Sequence, residues 1–296
     1  MNGVLMPFPT VSTAPPMARA QLQQALRERQ FHPFLQPIVC AAGRWQGAEI
    51  LMRWQHPQAG LQVPGVFIAR LAEQGLLAAA TRQMLQQLSM SWTGAGLALR
   101  QPFFLSFNAC ADQLRGDALV SQCEALLHTM QQASLRLMIE MPERGGDIAP
   151  AHCRRLFSQC EQADIAVALD DFGIGDARLH QLASGRISCL KLDRSFVAAT
   201  PADSLYSRLI EKIVALAAVF NASVTAEGVE TLAQWQWLRS IGVRRFQGYY
   251  FARPLAAADF LGQMVQRRLA RKTCAVQRTR TSASKEGAAS WRAGKR

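Results

Sequence analysis

The chain has 296 residues, 49% of them hydrophobic, and a mean hydropathy of zero. This composition supports a sizeable core and excludes a low-complexity chain, and no stretch reaches the roughly 20 apolar residues of a membrane-spanning helix. Residues 1–16 lack a basic segment and contain four prolines, which argues against a secretory signal. Seven cysteines form no C-x-x-C pair. The sequence therefore predicts a reduced, cytoplasmic protein without a disulfide framework or zinc site.

The positive charge is concentrated at the C-terminus. The formal net charge is +12, and residues 267–296 hold ten Lys or Arg and one acid, Glu286. The last twenty residues show neither helical nor strand periodicity, so a disordered, solvated tail is the favoured interpretation. Contact of this tail with nucleic acid, anionic lipid or a protein partner is the alternative. The sequence thus divides into an extension (1–19), a folded domain (20–265) and a basic tail (266–296).

Strand and helix patterns alternate along the folded part. After a predicted helix over residues 17–30, eight apolar runs are predicted as strands: Phe34–Val39, Ala48–Trp54, Phe103–Asn108, Leu135–Met141, Ile165–Phe172, Cys189–Asp193, Ser223–Val229 and Arg245–Phe251. Helical spacing is found over Val66–Leu77, Ala79–Trp92, Asp112–Met130, Ala149–Gln162, Ser204–Phe220 and Thr231–Ile241. Alternating elements predict a parallel α/β fold. Eight strands without an early G-x-G-x-x-G favour a TIM-like (β/α)8 barrel over an open doubly wound sheet.

Two adjacent carboxylates, Asp170 and Asp171, end the fifth predicted strand and precede a glycine-rich turn. Charge at the end of a buried strand is costly unless a partner compensates it. Neighbouring carboxylates suit Mg²⁺ or Mn²⁺, because these ions prefer oxygen ligands. The alternative is that an aspartate caps the helix after the strand.

Other polar residues occupy similar places in or near the ends of other predicted strands. They are Glu49, Asn108, Glu140, Lys191, Glu227 and Gln247. Barrel enzymes carry their active sites where the carboxyl ends of the strands meet. Taken singly, each residue also has a structural reading, but five gathered acids repel one another unless cations compensate them. The pattern predicts a metal-dependent barrel enzyme.

Eight segments follow one another in the order of a known family's motifs. They are Gln36–Ile38, Glu49–Trp54, Asn108, Glu140–Glu143, Asp170–Gly173, Lys191–Phe196, Ala226–Thr231 and Gln247–Tyr250. This set resembles EAL domains, the bacterial phosphodiesterases that open cyclic di-GMP to linear pGpG. The resemblance implies a TIM-like barrel whose first strand can run antiparallel, and it also implies a homodimer.

The resemblance further implies a metal site and a catalytic set. Two Mg²⁺ or Mn²⁺ ions would be held by Glu49, Asn108, Glu140, Asp170, Asp171 and Glu227. Such an ion pair polarises a phosphate and activates water for in-line attack. The implied catalytic residues are Glu49, Glu227 and Lys191, with Lys191 orienting the attacking water and stabilising developing charge.

Other matching positions concern the substrate and the support of the site. Gln36, Arg53 and Gln247 match substrate-contacting positions, and the donor fork of a guanidinium fits two phosphodiester oxygens. Glu143 and Glu230 match supporting positions, with Glu143 bracing the loop that follows the two aspartates. Ordinary surface or helix-start acids are the alternative for this pair.

The sequence departs from the family pattern at three places. The Thr-Glu pair that usually closes the fourth motif reads Pro142-Glu143, which keeps the acid and loses a hydroxyl. The signature Glu-Ala-Leu reads Glu-Ile-Leu over residues 49–51, which leaves the acid in place. The usual Gly-Thr-Gly-Tyr loop has Ile174 and Asp176 at its second and fourth positions, so a hydroxyl is lost and a charge is added. These changes predict reduced turnover or altered control.

Two functions follow from this reading. The first is a cyclic di-GMP phosphodiesterase that lowers the second messenger and so regulates bacterial gene expression or behaviour. The second is a weakly active or inactive EAL-type regulator, such as a repressor of gene expression, that acts by binding cyclic di-GMP or a partner. The altered loop and the basic tail motivate the second.

Overall fold

The computed structural model describes residues 18–116, 118–142, 149–173 and 186–267. Its strands are β1 (Phe31–Cys40), β2 (Trp45–His56), β3 (Gly60–Gln62), β4 (Phe103–Asn108), β5 (Leu135–Pro142), β6 (Ile165–Phe172), β7 (Cys189–Leu192), β8 (Ser223–Ala226), β9 (Arg245–Phe246) and β10 (Leu255–Ala256). Its described helices are α1 (Arg19–Arg27), α2 (Pro64–Glu73), α3 (Leu77–Gly94), α4 (Ala111–Arg115), α5 (Ala118–Met130), α6 (Pro150–Gln162), α7 (Arg194–Ala198), α8 (Ser204–Val219), α9 (Leu232–Ser240) and α10 (257–267).

Eight strands close into a barrel. The ring runs β1, β9, β8, β7, β6, β5, β4, β2 and back to β1, while β3 and β10 add to its outside as antiparallel partners of β2 and β1. From β2 through β4 to β9 the neighbours are parallel, which confirms the predicted TIM-like α/β barrel. The carboxyl ends of these strands therefore all lie at one end of the barrel, which forms its mouth.

The first strand is the exception, and its direction follows from its connection. β1 pairs antiparallel with both β2 and β9. Residues 41–44 alone join β1 to β2, and Gly43 takes a positive φ of 71° in that turn. A link this short joins antiparallel strands only, because a parallel pair needs a long crossover. The antiparallel first strand implied by the family resemblance is confirmed.

The helices cover the barrel with one apolar face each. In α6, for example, the buried residues are Cys153, Leu156, Phe157 and Cys160, which repeat at the spacing of one helical face. The strands lie between the helix layer and the interior of the barrel, so both of their faces are buried. In β7, for example, all four residues are buried. The barrel is thus a fixed frame for the polar residues at its mouth.

Several predicted bounds were wrong for local backbone reasons. The helix predicted over Asp112–Met130 is two helices, because Gly116 is extended with ψ of 161°. The seventh predicted strand ends at Ala226, since Gly228 has a positive φ of 64°. The last ends at Phe246, because the backbone packs so closely at Gly248 that a Cβ there would overlap Val229.

No helix among the described residues is long and apolar enough to cross a membrane. No disulfide bond joins the six described cysteines to one another. Glu143, Ile174, Asp176 and the greater part of the predicted basic tail lie outside the described residues.

Candidate active site

The mouth of the barrel collects the predicted polar residues from consecutive strands. They are Glu49 in β2, Asn108 at the end of β4, Glu140 in β5, Asp170 and Asp171 in β6, Lys191 in β7, Glu227 directly after β8 and Gln247 directly after β9. Neighbouring strands hold them at one level, as shown by the pairing of Asn108 with Glu140. The structure therefore brings together residues that are far apart in the sequence.

Lys191 is the centre of this group. Its side chain is buried, and its Nζ lies 2.6 Å from Glu140 Oε2, 2.6 Å from Glu227 Oε1, 3.0 Å from Asp170 Oδ1 and 3.9 Å from Glu49 Oε1. Four carboxylates from four strands thus face one ammonium group. We call Lys191 and these four residues the lysine cluster.

Burial and mutual repulsion oppose the ionisation of the carboxyl groups in the lysine cluster. Burial raises the pKa of Glu140 well above its ordinary value, and the other carboxylates add to the shift against the opposing charge of Lys191. Burial and the charges of Asp170 and Glu49 likewise raise the pKa of Glu227 to about 8. Burial lowers the pKa of Lys191, but the carboxylates outweigh it and hold that pKa well above its ordinary value. The charge of Lys191 therefore does not fully offset these effects at Glu140 and Glu227.

One buried oxygen of the cluster lacks a hydrogen bond. Glu140 Oε1 has no hydrogen-bond partner among the described residues, whereas Asp170 Oδ1 and Glu227 Oε1 face the ammonium group of Lys191. Carboxylate oxygens of Asp170, Asp171 and Glu227 lie within 4.8 Å of one another. Carboxylate oxygens gathered at this spacing fit a hard divalent cation such as Mg²⁺ or Mn²⁺.

A β-bulge brings the two aspartates to the same mouth. Leu169 pairs with Leu190 and Phe172 pairs with Leu192, so Asp170 and Asp171 together stand opposite the single residue Lys191. Adjacent residues of a regular strand point to opposite faces, and an extra residue breaks that alternation. Asp171 also has a positive φ of 53°, a conformation that aspartate tolerates better than most residues. Both carboxylates can therefore serve one site.

Amide side chains hold Glu49 on the other side of the mouth. Asn108 Nδ2 donates to Glu49 Oε1 at 2.7 Å, and Gln247 Nε2 donates to Glu49 Oε2 at 2.6 Å. The same Gln247 nitrogen lies 3.0 Å from Gln36 Oε1, and Gln36 Nε2 donates to the carbonyl of Ala252. Two predicted substrate residues, Gln36 and Gln247, thus form a buried chain that orients Glu49.

The remaining predicted residues lie at the edge of the site. Arg53 is half-buried, donates to the carbonyl of Met52 and stacks over Phe34 with 5.8 Å between its Cζ and the ring centroid. Burial lowers the pKa of Arg53, while the nearby charges of Glu49 and Tyr249 oppose that shift. Glu230 is exposed at the start of α9, and its carboxylate is not part of the lysine cluster.

Asp193 lies near the site but had no predicted role. Burial, together with the neighbouring carboxylates of Asp170 and Asp193, raises the pKa of Asp171 to about 6. Asp193 also caps α7, because its side chain accepts a hydrogen bond from the backbone of Ser195 at 2.8 Å. Asp193 lies in the segment Lys191–Phe196, two residues after Lys191, but helix capping alone explains an aspartate at that position.

Comparison with known proteins decides the family. The family model of the EAL domain matches residues 19–254. The chain belongs to the EAL family.

Two relatives show how much of an EAL protein this chain represents. The cyclic di-GMP phosphodiesterase PdeL of Escherichia coli strain K12 is 31% identical over 244 residues, which cover 82% of this chain and 67% of PdeL. The probable cyclic di-GMP phosphodiesterase PdeN of the same strain is 29% identical, over 81% of this chain and 46% of PdeN. The chain therefore spans two thirds of one relative and about half of the other.

Two solved structures share the EAL fold seen here. The PaMucR phosphodiesterase in complex with c-di-GMP matches 81% of this chain and 98% of its own, with 30% identity and a TM-score of 0.72. A manganese and cyclic di-GMP complex of BlrP1 from Klebsiella pneumoniae matches 77% of this chain and 57% of its own, with 26% identity and a TM-score of 0.63. The fold and family predicted from the eight motifs are confirmed.

Proposed function

We propose that this EAL protein hydrolyses cyclic di-GMP to linear pGpG with the help of two Mg²⁺ or Mn²⁺ ions. The observation that carries the proposal is the lysine cluster, in which four carboxylates and one buried ammonium group meet at the mouth of the barrel. By lowering cyclic di-GMP, the enzyme would regulate bacterial gene expression or behaviour. PdeL and PaMucR, two phosphodiesterases that this chain resembles, support the same activity.

The residues that would hold the ions are the acids and the amide gathered at the mouth of the barrel. They are Glu49, Asn108, Glu140, Asp170, Asp171 and Glu227. The close carboxylates and the unpartnered oxygen of Glu140 support a divalent cation, and the manganese complex of BlrP1 supports the choice of ion. When bound, the ions would supply an activated water and neutralise charge on the phosphodiester.

The chain's own side chains would bind and orient the substrate. Lys191 stays an ammonium group, because its raised pKa keeps it charged, and it would stabilise the negative charge that develops at phosphorus. Arg53 is the nearby guanidinium and would hold phosphodiester oxygens with its donor fork. Gln247 and Gln36 would keep Glu49 in one orientation, so that the site is formed before the substrate arrives.

The proposal includes a homodimer in the cytoplasm. Leu205 and Leu209 lie one turn apart on α8 and are 64% and 43% exposed, which suits an apolar contact with a second copy. Sedimentation velocity should give a dimer for the wild-type protein and a monomer for a Leu205→Glu, Leu209→Glu double variant. A monomeric wild type would refute the dimer and leave the proposed activity untouched.

The activity is tested by product analysis. Purified protein is incubated with cyclic di-GMP and Mg²⁺ or Mn²⁺, and pGpG is followed by chromatography. We expect pGpG from the wild type and none from Glu49→Gln or Lys191→Met. Glu73→Gln, which changes an exposed acid on α2, should keep full turnover. Turnover that survives in Glu49→Gln or Lys191→Met would overturn the site assignment.

The same experiment distinguishes hydrolysis from the second predicted function, that of a binding regulator. A binding regulator would retain cyclic di-GMP in equilibrium dialysis and release no pGpG with either ion. These two results, obtained with folded protein, would show that the chain is an EAL-type regulator and not a hydrolase.

A further inference from the structure

A cavity lies at the opposite end of the barrel from the lysine cluster. Its volume is about 570 Å³, and apolar side chains such as Phe103, Leu137 and Ile165 form much of its wall. Another wall residue, Phe104, precedes Asn108 by four residues on β4, which places this end about 13 Å along the strand from the mouth. A volume of this size is typical of small-molecule sites.

Most of the charged groups around this cavity are already paired. Arg136 Nε lies 3.0 Å from Asp164 Oδ2, and Arg136 also donates to backbone carbonyls. Glu161 forms an ion pair with Arg186. These pairs leave no excess carboxylate among the described residues that line the cavity.

Arg245 differs from these groups. Its Nη1 is buried and has no hydrogen-bond partner among the described residues. Its guanidinium lies over the ring of Phe104, with 4.6 Å between Cζ and the ring centroid. A buried, unpaired donor on a permanent cation is costly unless an acceptor reaches it.

Gly47 and Phe104 together position the guanidinium of Arg245. Gly47 pairs with Phe104 across β2 and β4, and a Cβ at Gly47 would lie only 2.5 Å from the Phe104 ring. The missing side chain therefore makes room for the ring, and the guanidinium of Arg245 lies over that ring. The donor fork of a guanidinium suits a planar or tetrahedral oxyanion.

We propose that this cavity binds a small organic anion with a carboxylate or phosphate head and an apolar body. The head would accept hydrogen bonds from Arg245, and the body would lie against the apolar wall. The site uses none of the lysine-cluster residues, so binding there is measurable whether or not the protein hydrolyses cyclic di-GMP.

Calorimetric titration of the full chain tests the proposal with three matched probes. They are 2-naphthoate, 2-naphthyl phosphate and the neutral 2-naphthamide. We expect saturable binding of at least one anion and binding of the amide about tenfold weaker or worse, because the amide lacks the charge that Arg245 requires. The anion that binds more tightly identifies the head group.

Substitutions of Arg245 test whether the anion binds in this cavity. Arg245→Met should weaken the anion by about tenfold or more, and Arg245→Lys should weaken it less, because it keeps the charge and loses the fork. Arg239→Met is the matched control, since Arg239 also stacks on an aromatic ring, Trp235, at 5.0 Å, and its loss should not change binding. The absence of saturable anion binding, equal binding of anion and amide, or wild-type affinity in a folded Arg245→Met protein would each overturn the proposal.

Discussion

At the scale of single residues, Lys191 carries the electrostatics of the proposed site. It is buried, and it contacts carboxylates of four different strands within 3.9 Å. Removing one partner of a buried ionic network leaves uncompensated charge, which costs more than the network gained when it formed. The stability of the barrel and the chemistry of its mouth therefore depend on the same ammonium group.

Lys191→Met should destabilise the metal-free protein by about 3–5 kcal/mol, because the remaining carboxylates then repel one another without a cation. Saturating Mn²⁺ should recover much of this loss, since the ion replaces the missing charge. Urea unfolding with and without Mn²⁺ measures both values. Lys212→Met, an exposed control on α8, should change the free energy of unfolding by less than about 0.5 kcal/mol. An equal loss in the two conditions would argue against a cation site in the cluster.

Gln247→Leu tests the amides that hold Glu49. This change removes the donor that lies 2.6 Å from Glu49 Oε2, and loss of such outer support lowers metal affinity or activity by about 10–100-fold. Mn²⁺ titration of cyclic di-GMP turnover measures the effect. Gln55→Leu, at an exposed position of β2, should behave like the wild type. Unchanged Mn²⁺ dependence in Gln247→Leu would show that Glu49 needs no such support.

At the scale of elements, turns and a bulge decide how the side chains meet. Strand-end position was sufficient to predict which residues gather at the mouth, because parallel strands finish at one edge. The bulge in β6 was not predictable, since it is a matter of register between Leu169 and Phe172 and their partners on β7. The ends of β8 and β9 were also missed, because the positive φ of Gly228 and the close backbone contact at Gly248 override the apolar pattern.

Gly228→Ala tests the turn after β8. Gly228 has a positive φ of 64°, and an added Cβ would overlap the Cβ of Arg194. Gly75 is a matched control, because its φ is 66° and its surroundings are open. Gly75→Ala should cost about 1 kcal/mol from backbone strain, and Gly228→Ala should cost about 1–3 kcal/mol more from overlap.

Turnover of cyclic di-GMP should fall in Gly228→Ala and persist in Gly75→Ala, since Glu227 immediately precedes Gly228. Urea unfolding and the chromatographic assay give the two readouts. Equal destabilisation by both substitutions would mean that the contact with Arg194 relaxes without cost.

At the scale of the whole molecule, the closed barrel accounts for nearly all of the matched sequence. The EAL family model ends at residue 254, and ten Lys or Arg fall within residues 267–296. The division into an extension (1–19), a domain (20–265) and a basic tail (266–296) stays a prediction. Charge and composition mark the tail from the sequence, but they do not say whether it has a partner.

Removal of residues 273–296 tests that division. The shortened protein should keep the thermal unfolding midpoint of the full chain and its turnover of cyclic di-GMP, because the barrel and the lysine cluster precede the cut. Scanning calorimetry and the chromatographic assay measure the two quantities. A lower midpoint, or slower turnover by purified protein, would show that the tail belongs to the folded domain.

We propose that the carboxylates around Lys191 form a divalent-cation site for the hydrolysis of cyclic di-GMP. The most direct test is the rate of pGpG formation by metal-free protein as Mn²⁺ is added back, compared with Asp170→Asn. We predict no product without the ion, a saturable increase for the wild type and no increase for the variant. Turnover by metal-free wild-type protein, or a normal Mn²⁺ response in Asp170→Asn, would contradict the claim.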